Sequence, residues 1–221
     1  MITLLKIVSL VLLFLWISRQ VRKPNGLLGR RIVRGMNVSH ARMTSWGLEQ
    51  VNTPNEAQIL DVGCGGGSTV QKLAAIAPNG KVVGLDYSAA SVAVARNTNA
   101  HEIATGRVRI LQGSVAALPF PDATFDVVTA VETHYYWPDL PNNVREILRV
   151  LKPGGTFALI AETYRGGPLL VLYAIVMPLL RAAFLSDAEH RDLLTRAGFI
   201  DVATKHVSGK NWICATGRKQ S

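Results

Sequence analysis

Residues 61–68 read Asp61-Val62-Gly63-Cys64-Gly65-Gly66-Gly67-Ser68. Glycines at alternate positions remove side chains where a backbone must come close to a ligand. A helix beginning just after them offers free N–H groups and the positive end of its dipole to a carboxylate or phosphate. Asp86 ends the next apolar run, nineteen residues past Gly67, and an acid there can accept hydrogen bonds from ribose hydroxyls. Strand, glycine turn, helix and acid together bind a nucleoside with an anionic arm. The dinucleotide fingerprint Gly-x-Gly-x-x-Gly/Ala is missing, because counting from Gly63 ends on Ser68 and counting from Gly65 ends on Val70. No Gly-Lys-Ser/Thr follows either. A pyrophosphate cofactor, and with it a nicotinamide oxidoreductase, is disfavoured.

A second group is Glu132-Thr133-His134-Tyr135-Tyr136-Trp137. Aromatic faces attract a cation by about 0.5–2 kcal/mol and stack on flat molecules. His134 can take a proton near neutral pH, and Glu132 follows a strand directly, where sites on such sheets lie. The catalytic candidates are therefore His134, Glu132 and Tyr135. The competing reading makes the aromatics packing under a helix start and His134 a structural histidine.

The elements that must position these residues alternate. Gln58–Val62, Lys81–Asp86, Val108–Gln112, Phe125–Val131 and Thr156–Ala161 read as strands. Ser68–Ala77, Ser88–Asn97, Leu140–Leu151 and Asp187–Ala197 read as helices, with Ile200–His206 and Trp212–Gly217 as a closing strand pair. This order predicts an α/β fold: a three-layer, Rossmann-like, seven-stranded, mostly parallel sheet with helices on both faces. The chain has 221 residues, 48% hydrophobic and 18% charged, enough for one sizeable core and too apolar for disorder. Two cysteines and five scattered histidines show no ligand spacing, so no metal is expected.

At these motifs the chain resembles the class I S-adenosylmethionine-dependent methyltransferases. Ile59 to Gly67 is similar to their first motif and Val83 to Ser88 to their second. Leu118-Pro119-Phe120 with Phe125 to Val128 resembles the third, and Leu151 to Gly155 the turn before the fifth strand. The resemblance covers about residues 55–218 and is nearest to the small-molecule, methyltransferase domain 11 type found in ubiquinone and menaquinone methyltransferases. It implies S-adenosyl-L-methionine as cofactor, with Asp61 and the turn Gly63, Cys64, Gly65 and Gly67 on the methionine part. Asp86 would take the ribose, Tyr87 would pack beside the adenine, and Ser114, Val115 and Glu132 would complete the cofactor site. Ser114 stands where the family often has an acid. The Asn/Asp-Pro-Pro-aromatic motif of amino-methylating DNA and protein enzymes is missing, as is a Pro-Cys nucleophile. A small, hydrophobic acceptor, quinone-like or lipid-derived, is therefore expected, with no nucleic acid partner. A non-catalytic cofactor-binding or scaffold protein on the same fold is the alternative, and the oligomeric state stays open. Methyl transfer needs alignment above all, and orientation alone supplies roughly 7–11 kcal/mol.

The net charge of +9 is localised: residues 1–50 hold eight Lys/Arg against Glu49 as the one acid. Ile2 to Ser18 is apolar apart from Lys6, at the short end of a membrane-spanning length, and basic residues follow it. The sequence predicts an N-terminal membrane-anchor helix and basic collar over 1–23. A helical cap follows over 24–54, and a methyltransferase domain over 55–221, on the cytoplasmic side of a membrane. A cleaved signal peptide and a core helix are the alternatives for the apolar run. Leu27–Gly47, carrying His40, Met43 and Trp46, is expected as one amphipathic helix over the mouth of the site. Pro168–Leu185, apolar without a break from Leu169 to Leu180, is expected either as an ordinary core or lid helix or as a lid touching that membrane.

Overall fold

The computed structural model describes Trp16, Arg19, Gln20 and residues 22–221. Trp16, Arg19, Gln20 and Arg22 are helical, and two helices follow, α1 (Gly26–Ser39) and α2 (Ala41–Leu48). The body then runs β1 (Gln58–Val62), α3 (Ser68–Ile76), β2 (Lys81–Asp86), α4 (Ala89–Thr98), α5 (Ala100–Ala104), β3 (Val108–Gln112) and β4 (Phe125–Val131). After a single 3-10 turn at His134–Tyr136 come α6 (Leu140–Val150), β5 (Leu151–Ala161), α7 (Leu170–Leu179), α8 (Asp187–Ala197), β6 (Ile200–His206) and β7 (Ile213–Arg218).

The seven strands form one sheet in the order β3-β2-β1-β4-β5-β7-β6. β1 pairs in parallel with both β2 and β4, while β7 runs antiparallel between β5 and β6. Alternate residues along each strand feed two cores, as the two-residue period of a strand requires. On β5, Phe157 and Leu159 pack with Val144 and Ile147 of α6 and Leu194 of α8. Ala158 and Ile160 pack on the other face with Met43 of α2, Leu73 of α3 and Val92 of α4. The result is the expected three-layer, Rossmann-like, mixed sheet.

Local chemistry explains where the helices begin. Ser186 caps α8 by accepting from the Glu189 N–H at 3.2 Å, and the Glu189 carboxylate accepts the Ser186 N–H at 2.7 Å. This reciprocal pair satisfies two N–H groups that a helix start leaves free. Asp139 caps α6, with proline in the first turn, where the missing N–H costs nothing.

Three expectations need correction. The run over 27–47 is two helices rather than one. His40 leaves helical geometry at φ −90° and ψ 0°, and the chain turns there so that α2 lies down on β5. Gly47 makes that close approach possible: a Cβ on it would come within 2.5 Å of Ile160 Cγ2. The turn Lys152 to Gly155 is drawn into β5, because Gly154 and Gly155 exchange backbone hydrogen bonds with Lys219 at 3.0 and 2.9 Å.

The third correction concerns the membrane. Ile2 to Ser18, apart from Trp16, lies outside the described residues, and among the described residues no helix is long and apolar enough to cross a membrane. The expected location, membrane-associated with the catalytic domain on its cytoplasmic side, is overturned by that finding. The basic collar has a different employment. The Ser88 hydroxyl donates to the Pro24 carbonyl at 2.6 Å, the Tyr87 hydroxyl donates to the Arg22 carbonyl, and the Lys23 ammonium sits 5.5 Å from the centre of the Tyr87 ring. Residues 22–24 are thus bound to the body. The expected apolar lid forms α7, but none of its residues lines the cavity described next. Met177 is buried against the core, whereas Val171 and Ile175 are exposed.

Candidate functional site

β1 lies between β2 and β4; the connection leaving β1 runs to β2 and the one leaving β4 runs to β5 on the opposite side, the place where open α/β sheets form a crevice. A cavity of about 310 Å³ occupies that crevice. Asp86 stands at its β2 end, the glycine turn in the middle over β1, and Glu132 at its β4 end; Asn37 and His40 of the cap close it from above.

The turn is held by its own backbone. The Gly63 and Cys64 N–H groups both donate to the Leu85 carbonyl, at 2.7 and 3.0 Å. Gly65, at φ +51°, has nothing within 4 Å of where a Cβ would stand. It is a bare cradle in a conformation that side chains resist. Its N–H donates to Asp86 Oδ2 at 2.9 Å, while Asp86 Oδ1 accepts the Ser88 N–H at 2.8 Å. Burial pushes the Asp86 carboxyl above the usual carboxylate range, and those two N–H groups pull against it. A carboxylate has about four lone-pair sites, so with the Ser91 side chain also bonded to it room remains for a ligand hydroxyl. Cys64 lines the cavity, but burial, with Asp86 and Asp61 adding to it, drives its thiol well above the ordinary range. It is a small packing residue with no thiolate to offer.

Of the residues expected at the cofactor, Gly63, Cys64, Gly65, Asp86, Tyr87, Ser114, Val115 and Glu132 line the cavity. Asp61 and Gly67 do not. Asp61 sits beneath the turn, 1% exposed, accepting the Thr129 hydroxyl at 2.7 Å through Oδ1, while Oδ2 has no hydrogen-bond partner. Burial pushes its carboxyl up to about 7. Gly67 is the cap residue of α3 at φ +80°.

At the acceptor end the expectation fails for two residues. Glu132, Tyr136 and Trp137 face the cavity; His134 and Tyr135 do not line it. A 3-10 turn advances about a third of a circle per residue, so neighbours within His134–Tyr136 point in different directions. His134 goes into the core with its ring 4.2 Å from Tyr135 and 5.4 Å from His190. Neither of its ring nitrogens has a partner, and burial holds its pKa well below the usual histidine value. It is a neutral core residue, and the reading of it as a base is corrected. Tyr135 acts at one remove: its hydroxyl donates to Glu132 Oε1 at 2.9 Å and accepts the Thr163 N–H at 3.1 Å.

Two residues at this end escaped the sequence reading. His40 was placed over the mouth only as part of a helix, and Glu162 was not singled out at all. His40 Nε2 lies 4.0 Å from Glu132 Oε2 and 3.7 Å from Glu162 Oε2. The signal for Glu162 was available, since it directly follows β5, at the sheet edge where sites form.

The cradle fits S-adenosylmethionine: open space before Gly65, free N–H groups at the start of α3, and a diol-binding carboxylate one strand away. Residues 60–159 match the family model described as "Methyltransferase domain". The demethylmenaquinone methyltransferase of Lactococcus lactis is 34% identical over 175 residues, 68% of this chain and 69% of that protein. The chloroplastic 2-methyl-6-phytyl-1,4-hydroquinone methyltransferase 1 of rice is 32% identical over 155 residues, and the match covers 70% of this chain but only 44% of that protein. A methyltransferase of Haloferax volcanii, solved in complex with the Trm112 activator, superimposes with a TM-score of 0.74 over 86% of this chain and 94% of its own, at 22% identity. Human N-acetylserotonin methyltransferase in complex with its methyl donor gives 0.73 over 87% of this chain and 56% of its own, at 20% identity. With the glycine turn, Asp86 and the strand order in place, these likenesses put the chain among the class I S-adenosylmethionine-dependent methyltransferases.

Proposed function

We propose that this chain methylates a small, hydrophobic, ring-bearing acceptor of the quinone-like or lipid-derived kind. The observation that carries the reading is one continuous cavity: cofactor-type groups line it over β2 and β1, Tyr136 and Trp137 line it after β4, and Met36 of α1 lines it from the cap. Flat apolar surface beside a bare glycine turn suits a ring laid against a bound methyl donor. The quinone and hydroquinone methyltransferases among the relatives support the same class of acceptor. When bound, S-adenosylmethionine supplies an electrophilic methyl carbon on a sulfonium.

In this reading the backbone of Gly63 to Gly67 and the first turn of α3 hold the methionine part. Asp86 accepts from the ribose, Tyr87 packs beside the adenine, and Ser114 and Val115 border its edge. Tyr136 and Trp137 exclude water and orient the acceptor, and Glu132 is held at the acceptor end by Tyr135. Residues 24–54 act as the cap and 55–221 as the transferase domain. The test is incubation of the purified chain with isotopically labelled methyl donor and host extract, followed by mass spectrometry. Label in an apolar ring compound is the expected result. Label confined to polar metabolites, with the donor bound normally by calorimetry, overturns the acceptor class.

A further inference from the structure

Three distant segments converge at the acceptor end: the break between α1 and α2, the end of β4 and the end of β5. They bring His40, Glu132 and Glu162 together. Glu132 sits at φ +56°, a left-handed conformation costly for a side chain with a Cβ and found where function over-determines the backbone. The hydrogen bonds it receives, from the Tyr135 hydroxyl and the Glu162 N–H, both go to Oε1. That leaves Oε2 turned to His40. The His40 side chain is 23% exposed and borders the cavity beside Tyr136 and Trp137. It is therefore accessible to an acceptor while backed by two carboxylates, the arrangement that orients an imidazole.

We infer that His40 is the proton acceptor of the reaction, and that the acceptor carries a phenolic or hydroquinone hydroxyl facing it. This rests on the proposed methyl transfer and narrows its substrate. The hydroxyl proton passes to His40 Nδ1, while Nε2 keeps its own proton toward Glu132 and Glu162, against which the imidazolium so formed lies. The freed electron pair forms the new bond to the methyl carbon, at oxygen or through the ring at a conjugated carbon. The carbon–sulfur bond breaks with its pair on sulfur, leaving a neutral thioether. For a carbon acceptor the ring proton then leaves to water as aromaticity returns. His134, the sequence's first choice of base, has no path to the cavity.

The titratable and charged groups around His40 are Glu132 after β4, Glu162 after β5, and Arg22, Asp86, Tyr87 and Tyr136 on the walls of the same cavity. Burial raises the Glu132 carboxyl, and His40, the Glu162 N–H and the Tyr135 hydroxyl draw it back down.

The experiment compares wild type, His40→Gln and Glu162→Gln on labelled methyl donor with a panel of alkyl-substituted naphthohydroquinones, phenols and their O-methyl ethers. Expected for His40→Gln is a fall in kcat of about 10²–10⁴ on hydroxyl acceptors, with donor affinity by calorimetry within about threefold of wild type. The acid limb of its pH–rate profile disappears, and added imidazole partly restores turnover. Glu162→Gln, on a more exposed side chain, lowers kcat by a smaller factor and keeps the limb. Equal kcat in His40→Gln and wild type on a hydroxyl acceptor overturns the role of His40 while the acceptor class stands. Methylation of the ethers at the rate of the free hydroxyls overturns it too. Turnover abolished by a chelator and restored by added Mg²⁺ or Zn²⁺ also overturns it, since His40, Glu132 and Glu162 have the donor atoms of a cation site, all within 4.8 Å. Methyl transfer to none of the panel, nor to anything in host extract, overturns the proposed function itself and this inference with it.

Discussion

The Asn37 side-chain amide donates to the Gly66 carbonyl at 3.1 Å, tying the helical cap directly to the glycine turn. A segment far upstream of the glycine motif thereby helps set the shape of the bend proposed to receive the methyl donor. Asn37→Ala should weaken donor binding by about 0.5–1.5 kcal/mol, a roughly two- to tenfold rise in Kd. Calorimetry reads the affinity, and a thermal melt within a few degrees of wild type would show that the cap still docks.

Asp86 accepts two backbone N–H groups, from Gly65 and Ser88, and its remaining lone pairs face the cavity. In the proposed reading, Asp86→Ala removes the ribose acceptor and unsettles the turn at once. Hydrogen bonds to a charged group are worth about 1.5–3 kcal/mol each, so donor affinity should fall at least a hundredfold. Asp86→Asn, which keeps the shape and one acceptor oxygen, should fall between the two. Equal donor binding in all three proteins would remove Asp86 from the site.

Gly47 seats α2 on β5 and so positions His40. A methyl group there meets Ile160, and overpacking of a dense core typically costs about 1–3 kcal/mol. Gly47→Ala should lower stability by that much in urea unfolding and reduce turnover more than donor affinity. Adding Ile160→Ala reopens the space, so the double variant should cost less than the sum of its single changes.

His134 and His190 are buried and lie 5.4 Å apart, and burial lowers both pKa values from 6.5. Below pH 6.5 the unfolded chain binds protons that the folded chain refuses, so this pair lowers stability as pH falls through 6.5 and contributes nothing above it. The slope is at most about 1.4 kcal/mol per pH unit for each ring. Asp61, pushed up to about 7, works in the opposite sense, since the folded chain holds its proton where the unfolded chain has lost it. The readout is therefore the difference between wild type and His134→Phe, measured by urea unfolding from pH 5 to 8. The advantage of wild type over His134→Phe should shrink, or turn negative, below pH 6.5; a constant difference would mean the ring titrates freely.

Local sequence carried the parallel sheet, the turn and its acid, because each is written within a few neighbouring residues. Glycines, a strand's apolar run and the helix after it are local facts, and so is an aspartate ending the next strand. The aromatic segment was legible as belonging to the site but not in its details. Which of His134, Tyr135, Tyr136 and Trp137 face the cavity depends on the 3-10 turn His134–Tyr136, set by how β4 delivers the chain to α6. The His40–Glu132–Glu162 meeting has no local signature at all. It exists because Gly47 lets α2 lie against Ile160 and because the sheet order places the ends of β4 and β5 side by side. Spacing along the chain determined where the glycine turn and its acid meet; only long-range packing decided that His40 stands beside Glu132 and Glu162, since that proximity is a property of three segments and of none of them alone.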